Sequence, residues 1–180
     1  MTADAEQPGR PGDLIVLADL VGTLAFTVTA VAAAVVFSTA AQWVGAITAM
    51  SLFAVGVFAF LWSFWNAVQR SREEQISVTQ VYLLLGPPTP ARIRRIMLSL
   101  LVVQCVVALS TALARPDGPD GTPGSSLAVG ILVPMFGIGL NGLWGAFHGV
   151  FEPRPDVTVT DVVDDGVTSE PPIDQNDDHG

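Results

Sequence analysis

Seven polar side chains of this chain stand where chemistry would be costly to maintain. Asp19, Asn66, Gln69 and His148 lie within or at the edges of long apolar runs, and Arg92, Arg94 and Arg95 open another such run. A carboxyl, two amides, an imidazole and three guanidinium groups at one level could bind an ion, pass a proton or tie helices together. Polar groups in hydrocarbon are expensive unless partnered, so each is a candidate site. A plainer reading stands beside this one. Asn66, Gln69 and His148 fall near the ends of their runs, where interfacial positions and structural hydrogen bonds are ordinary. Asp19 could reach the headgroup zone and be solvated there. The sharper expectation is that Asp19 pairs with Arg92, Arg94 or Arg95 and locks the first span to the third, because an unpaired carboxylate inside the bilayer costs far more.

Known catalytic patterns are missing. The sequence holds no G-x-S-x-G, H-E-x-x-H or C-x-x-C, and without lysine it has no Walker A motif. Gly137-Ile138-Gly139-Leu140-Asn141-Gly142 does match G-x-G-x-x-G. The dinucleotide reading of that motif needs a strand before it and an acid about 20 residues on in a βαβ unit; here it lies inside a span-length apolar run. The better reading is packing. Gly142, Gly145 and Gly149 recur on one helical face, and small residues let helix backbones approach closely in lipid. Whether that approach is within the bundle or between protomers is open. Asn141, Trp144 and His148 share a face, as do Trp62, Asn66 and Gln69. No catalytic residue, cofactor or metal site is expected.

The elements that position these residues follow from one stretch. Leu20–Gln69 contains no Asp, Glu, Lys, Arg or His. One helix of that length would measure roughly 75 Å, against a hydrocarbon core of about 30 Å. It must therefore be two spans, about 15–37 and 44–66, turning at Ser38–Trp43. Asp13 is expected to cap a first helix beginning at Leu14. Tryptophans at 43, 62 and 65 mark the ends of the second span as an aromatic belt would. Residues 70–95 form the long polar loop, in which Ile76–Leu85 reads as an interfacial or strand-like piece. Thr89-Pro90 is expected to start the next helix, with the proline at its first position. The third span is about 96–114 and the fourth about 127–147, kinked by Pro134. The fold class is thus all-α: a four-helix transmembrane bundle over 14–151, between disordered tails at 1–13 and 152–180.

Charge sets the orientation. The termini and the 70–95 loop share one side and hold seven arginines; Arg115 stands alone on the other. The positive-inside rule then places both termini in the cytoplasm. The net charge of −9 is mostly that of the tail, which carries nine acids and one arginine from Glu152 onward. So acidic a tail does not suit nucleic acid. The loop arginines suit anionic lipid headgroups.

Two blocks carry a resemblance. One is Arg72-Glu73-Glu74-Gln75-Ile76-Ser77-Val78 with Val81-Tyr82-Leu83-Leu84, running on to Pro90-Ala91-Arg92-Ile93-Arg94-Arg95. The other is Leu132-Val133-Pro134-Met135-Phe136-Gly137 through Gly142-Leu143-Trp144-Gly145-Ala146-Phe147-His148-Gly149. Together they resemble a family of small actinobacterial four-span membrane proteins with no assigned activity, over about residues 14–154. The resemblance implies four helices in an inner membrane and transfers no site residue.

The function expected from these features is non-enzymatic: an accessory or scaffold subunit in a homo- or hetero-oligomer. The alternative is a small transporter or channel protomer with a polar site at the cytoplasmic side. The sequence favours the first, because the middle and outer thirds of the spans offer only scattered Ser and Thr plus Gln104.

Overall fold

The computed structural model describes residues 11–118, 121 and 125–153. Four long helical segments dominate: α1 (Pro11–Val36), α2 (Thr39–Arg70), α4 (Ala91–Ala114) and a fourth span built from a 3-10 segment (Ser126–Leu132) followed by α5 (Pro134–His148). A short helix, α3 (Val78–Tyr82), lies in the 70–95 loop. All four long segments are long and apolar enough to cross a membrane. The chain is an all-α, multi-pass membrane protein.

Apolar periodicity does not set its architecture, since lipid and core are both apolar. Small residues do. Half of the fourth span is buried, against about a quarter of each other span, so it forms the centre of the bundle. Its glycines explain this. A Cβ at Gly139 would strike the Gly56 carbonyl, and one at Gly56 would meet the Phe136 backbone at 2.5–2.6 Å. α2 and α5 therefore run side by side, backbone against backbone. α1 touches α2, α4 and α5, leaving α2 and α4 at opposite corners.

Several boundaries differ from the sequence expectation, each for a local reason. The α1–α2 turn is only Phe37-Ser38, not Ser38–Trp43. Phe37 takes φ 47°, and the Ser38 hydroxyl caps α2 by accepting from the Ala41 N–H at 3.3 Å. Such a tight reversal leaves Gln42 inside α2, where Ser126 Oγ donates to its Oε1 at 2.8 Å. α1 starts at Pro11, so Asp13 lies in its first turn rather than capping it. Pro90, not Thr89, is the N-cap of α4, and it offers no side-chain cap. Pro134 does not kink a continuous helix. It begins α5 after the 3-10 segment, where its missing N–H costs nothing. The 76–85 piece is not a strand; it carries the short helix α3. Ser77 and Gln80 close a capping box on α3. Leu84, at φ 52° and fully buried, wedges the loop into the core beside Met97 and Trp144. The expected disordered tails, 1–13 and 152–180, fall largely outside the described residues.

Gly142 and Gly145 face other elements of the same chain. Added Cβ atoms would meet Ser63 Oγ at 2.6 Å and the Val81 carbonyl at 2.6 Å, respectively. The partner they accommodate is α3 with α2. Gly149 ends the helix, against Phe151 and the Gly145 carbonyl.

Candidate functional site

Asp19 lies eight residues into α1 and has no exposed surface. Opposite it is Gln104 of α4, equally buried. The Gln104 amide nitrogen donates to Asp19 Oδ1 at 3.0 Å and to Thr23 Oγ1 at 2.7 Å. Its oxygen accepts the Gly137 N–H at 3.2 Å. That last bond fixes which way the amide points, because a backbone N–H can only donate. Gly137 stands in the first turn after Pro134, where N–H groups lack full helical partners. It must also be small: a Cβ there would lie 2.7 Å from Gln104 Oε1. One amide thus ties three spans together at mid-depth. Among the described residues Asp19 Oδ2 has no hydrogen-bond partner.

A stripe on α5 leads from this cluster toward the end of the bundle that carries the N-terminal segment and the 70–95 loop. Asn141 follows Gly137 by one helical turn, has no exposed surface, and has no partner for either amide atom among the described residues. Trp144 Nε1 and His148 Nδ1 are also buried with no partner among the described residues, and the two rings stack at 5.6 Å. Both face the start of α1, where a Cβ at Gly12 would come within 3.0 Å of Trp144 Nε1 and 3.3 Å of His148 Cδ2. Toward the opposite end, Phe26, Ala30, Ala49, Ala108 and Val133 form a closed apolar cluster above Asp19.

The seven expected site residues do not form one layer. Asp19 goes to mid-depth and pairs with Gln104, not with an arginine; among the described residues the ion pair seen is Arg70–Glu74. The reason is depth. Arg94 is ten residues, roughly 15 Å, nearer the end of α4 than Gln104. Arg94 donates to the Gly86 carbonyl at 3.4 Å, while Arg92 and Arg95 are exposed. Asn66 donates to the Trp62 carbonyl of its own helix, and Gln69 is exposed. His148 is half-buried at the mouth of the stripe.

Comparison with family models, with curated proteins and with solved structures gives no match for the chain.

Two arginines have roles that counting them for topology misses. Arg70, the last residue of α2, donates to the carbonyls of Ala146 at 2.6 Å and Gly149 at 3.3 Å, pairs with Glu74 at 2.8 Å, and stands 5.4 Å from the Phe151 ring centre. At the other end Arg115 donates to the Ala34 carbonyl at 3.3 Å and covers the Phe37 ring at 4.3 Å. Each guanidinium satisfies carbonyls at a helix C-terminus, where positive charge also suits the helix dipole.

Tyr82 of α3 completes the seam beside Gly142. Its hydroxyl donates to the Phe60 carbonyl at 3.3 Å, and its ring stacks on Phe60 at 4.5 Å. Burial pushes the phenol up from its ordinary value, and the Ser63 hydroxyl opposes this in part. Tyr82 is the chain's one tyrosine. Phenolate absorbance in a spectrophotometric pH titration should therefore rise at higher pH than for free tyrosine, and later still in Ser63→Ala. A titration coinciding with free tyrosine would mean that α3 is not docked on α5.

Proposed function

We propose that this protein is a non-enzymatic accessory or scaffold component of the cell (inner) membrane, with both termini in the cytoplasm. The observation that carries this reading is the apolar cluster of Phe26, Ala30, Ala49, Ala108 and Val133. It separates the polar cluster at Asp19 from Gln42 and Ser126 at the far end. A conducting bundle needs polar groups through its full depth, and here an apolar layer interrupts them. The outer faces suit lipid or a partner helix: Val102, Val106, Leu109 and Leu113 make one exposed apolar stripe on α4, and Phe58, Trp62 and Trp65 another on α2. Exposed Arg92 and Arg95 at the start of α4 suit anionic headgroups. The orientation rests on the arginine count, and the resemblance to small actinobacterial four-span proteins supports the inner membrane.

The second reading, a small transporter, draws support from the mid-depth position of Asp19. Proteoliposome flux separates the two. The accessory reading expects proton and monovalent-cation leak no greater than in empty vesicles. A flux abolished by Asp19→Asn would replace it with the transporter. A cytoplasm-only reporter should be active at either terminus and silent when inserted at 118–121; the reverse pattern would overturn the orientation.

A further inference from the structure

We propose that Asp19 is a proton-binding site reached from one end of the bundle only, along the α5 stripe of Asn141, Trp144 and His148. The argument begins with register. Gly12 of α1 abuts Trp144 and His148, and Gly22 abuts Phe136. α1 and α5 are antiparallel, so this pairing sets Asp19 level with residues 137–141. Gln104 confirms the level by bonding both Asp19 and Gly137. Asn141, fully buried and with no partner for either amide atom among the described residues, stands one helical turn after Gly137, on the side toward His148. Such groups are rarely left unsatisfied in a bundle interior.

Chemistry selects the ligand. Among the described residues no charged group faces Asp19. On α1 the other acid is Asp13, near the helix start. α4 presents Gln104, and its arginines lie at its end. Cys105 is half-buried on the adjoining face of α4. α5 presents the Gly137 backbone and Asn141, with His148 two turns nearer the end. α2 has no ionisable residue before Arg70, which is held by Glu74 and the α5 carbonyls. Among the described residues no three His, Cys, Asp or Glu side chains stand together as metal ligands. Gln104 turns an NH₂ group, not an oxygen, toward the site, which disfavours a bare cation. Charge balance on Asp19 therefore falls to a proton. Gln104 already occupies Oδ1, so the proton resides on Oδ2, the atom without a partner. It comes from water at the mouth and returns there. His148, half-buried at the mouth, is the exchanging group; apolar side chains pack on both sides of Asp19, and the unpartnered polar atoms of Asn141, Trp144 and His148 mark this end as the route. This holds whether the bundle is an accessory subunit or a transporter.

The test is infrared spectroscopy of the full chain reconstituted in lipid, with its hydrogens exchanged in D₂O. A carboxylic C=O band that grows and fades with pH, shifts in D₂O and is missing from Asp19→Asn is expected. In Gln104→Leu the band should move, since Oδ1 loses its hydrogen bond. Its exchange should slow several-fold in His148→Ala and Asn141→Leu, and should be unchanged in Phe26→Leu at the closed side. In oriented vesicles the band should follow a pH jump on the His148 side alone. Identical carboxyl spectra for wild type and Asp19→Asn would overturn the site. Exchange insensitive to His148→Ala and Asn141→Leu, or a response to a pH jump on either side, would overturn the route. Asp19→Glu, which keeps a carboxyl, guards against misfolding: it should restore a titrating band at a shifted frequency.

Discussion

Gly139→Leu should destabilise the bundle more than any other single substitution on α5. The Gly139 α-carbon faces the Gly56 backbone, with the Cα of Gly56 only 3.1 Å from an added Cβ. A clash with a side chain can be relieved by a rotamer change. A clash with backbone requires two spans to separate, and α2 and α5 form the widest contact in the fold. Overpacking a core typically costs about 1–3 kcal/mol, and backbone-to-backbone contact belongs at or above the top of that range. Gly145→Leu should cost less, because the obstacle is Val81 of the short α3, which can lift away without opening the spans. Gly45→Ala serves as the control. Its Cβ would find Ala33 at 3.4 Å, an ordinary contact, and helix propensity favours alanine by up to about 1 kcal/mol. Thermal unfolding in detergent ranks the three. Equal melting temperatures for Gly139→Leu and wild type would show that the α2–α5 seam is looser than described.

The same seam explains how far the sequence could be read. Four spans and their order were legible because charge-free length has one physical meaning in a chain this apolar. The inward faces were not. Lipid and core select the same residues, so hydrophobic periodicity carries little directional information, and the small residues carry it instead. The G-x-G-x-x-G run shows why a motif alone could not reveal this: Gly137 accommodates Gln104, Gly139 the Gly56 backbone, and Gly142 Tyr82 with Ser63. Three glycines face three different neighbours, and only the assembled bundle distinguishes them. A helix beginning at Leu14 instead of Pro11 places Asp19 too shallow. A usable signal was present. Asp19 and Gln104 are each the one strongly polar side chain inside the apolar stretch of a helix. Two such isolated residues on helices running the same way are natural partners. The arginine clasps at Arg70 and Arg115 left no such trace, since nothing local distinguishes a guanidinium that caps a distant helix from one that faces lipid headgroups.

Gln104→Leu carries the second large expected effect, and its pairing with Asp19 tests the centre of the fold. Leucine has similar volume, so the substitution removes hydrogen bonds with little change in packing. It leaves Asp19 Oδ1, Thr23 Oγ1 and the Gly137 N–H short of a partner at zero or near-zero exposure. Each buried group left unsatisfied costs about 1–3 kcal/mol, although measured interhelical bonds in membranes average nearer 0.6 kcal/mol because the separated helices find other partners. A loss of about 2 kcal/mol is therefore expected for Gln104→Leu. Asp19→Leu alone should also destabilise, since Gln104 then retains a donor without an acceptor. The double substitution Asp19→Leu with Gln104→Leu replaces both members by apolar groups, which removes the stranded donor and acceptor together. It should cost clearly less than the two single losses added, and the difference measures the pair directly. Thr23 and Gly137 remain in the double variant, so recovery should be partial. Strict additivity, within about 0.5 kcal/mol, would mean that Asp19 and Gln104 are energetically independent. In that case the link between α1 and α4 would lie in their apolar contacts.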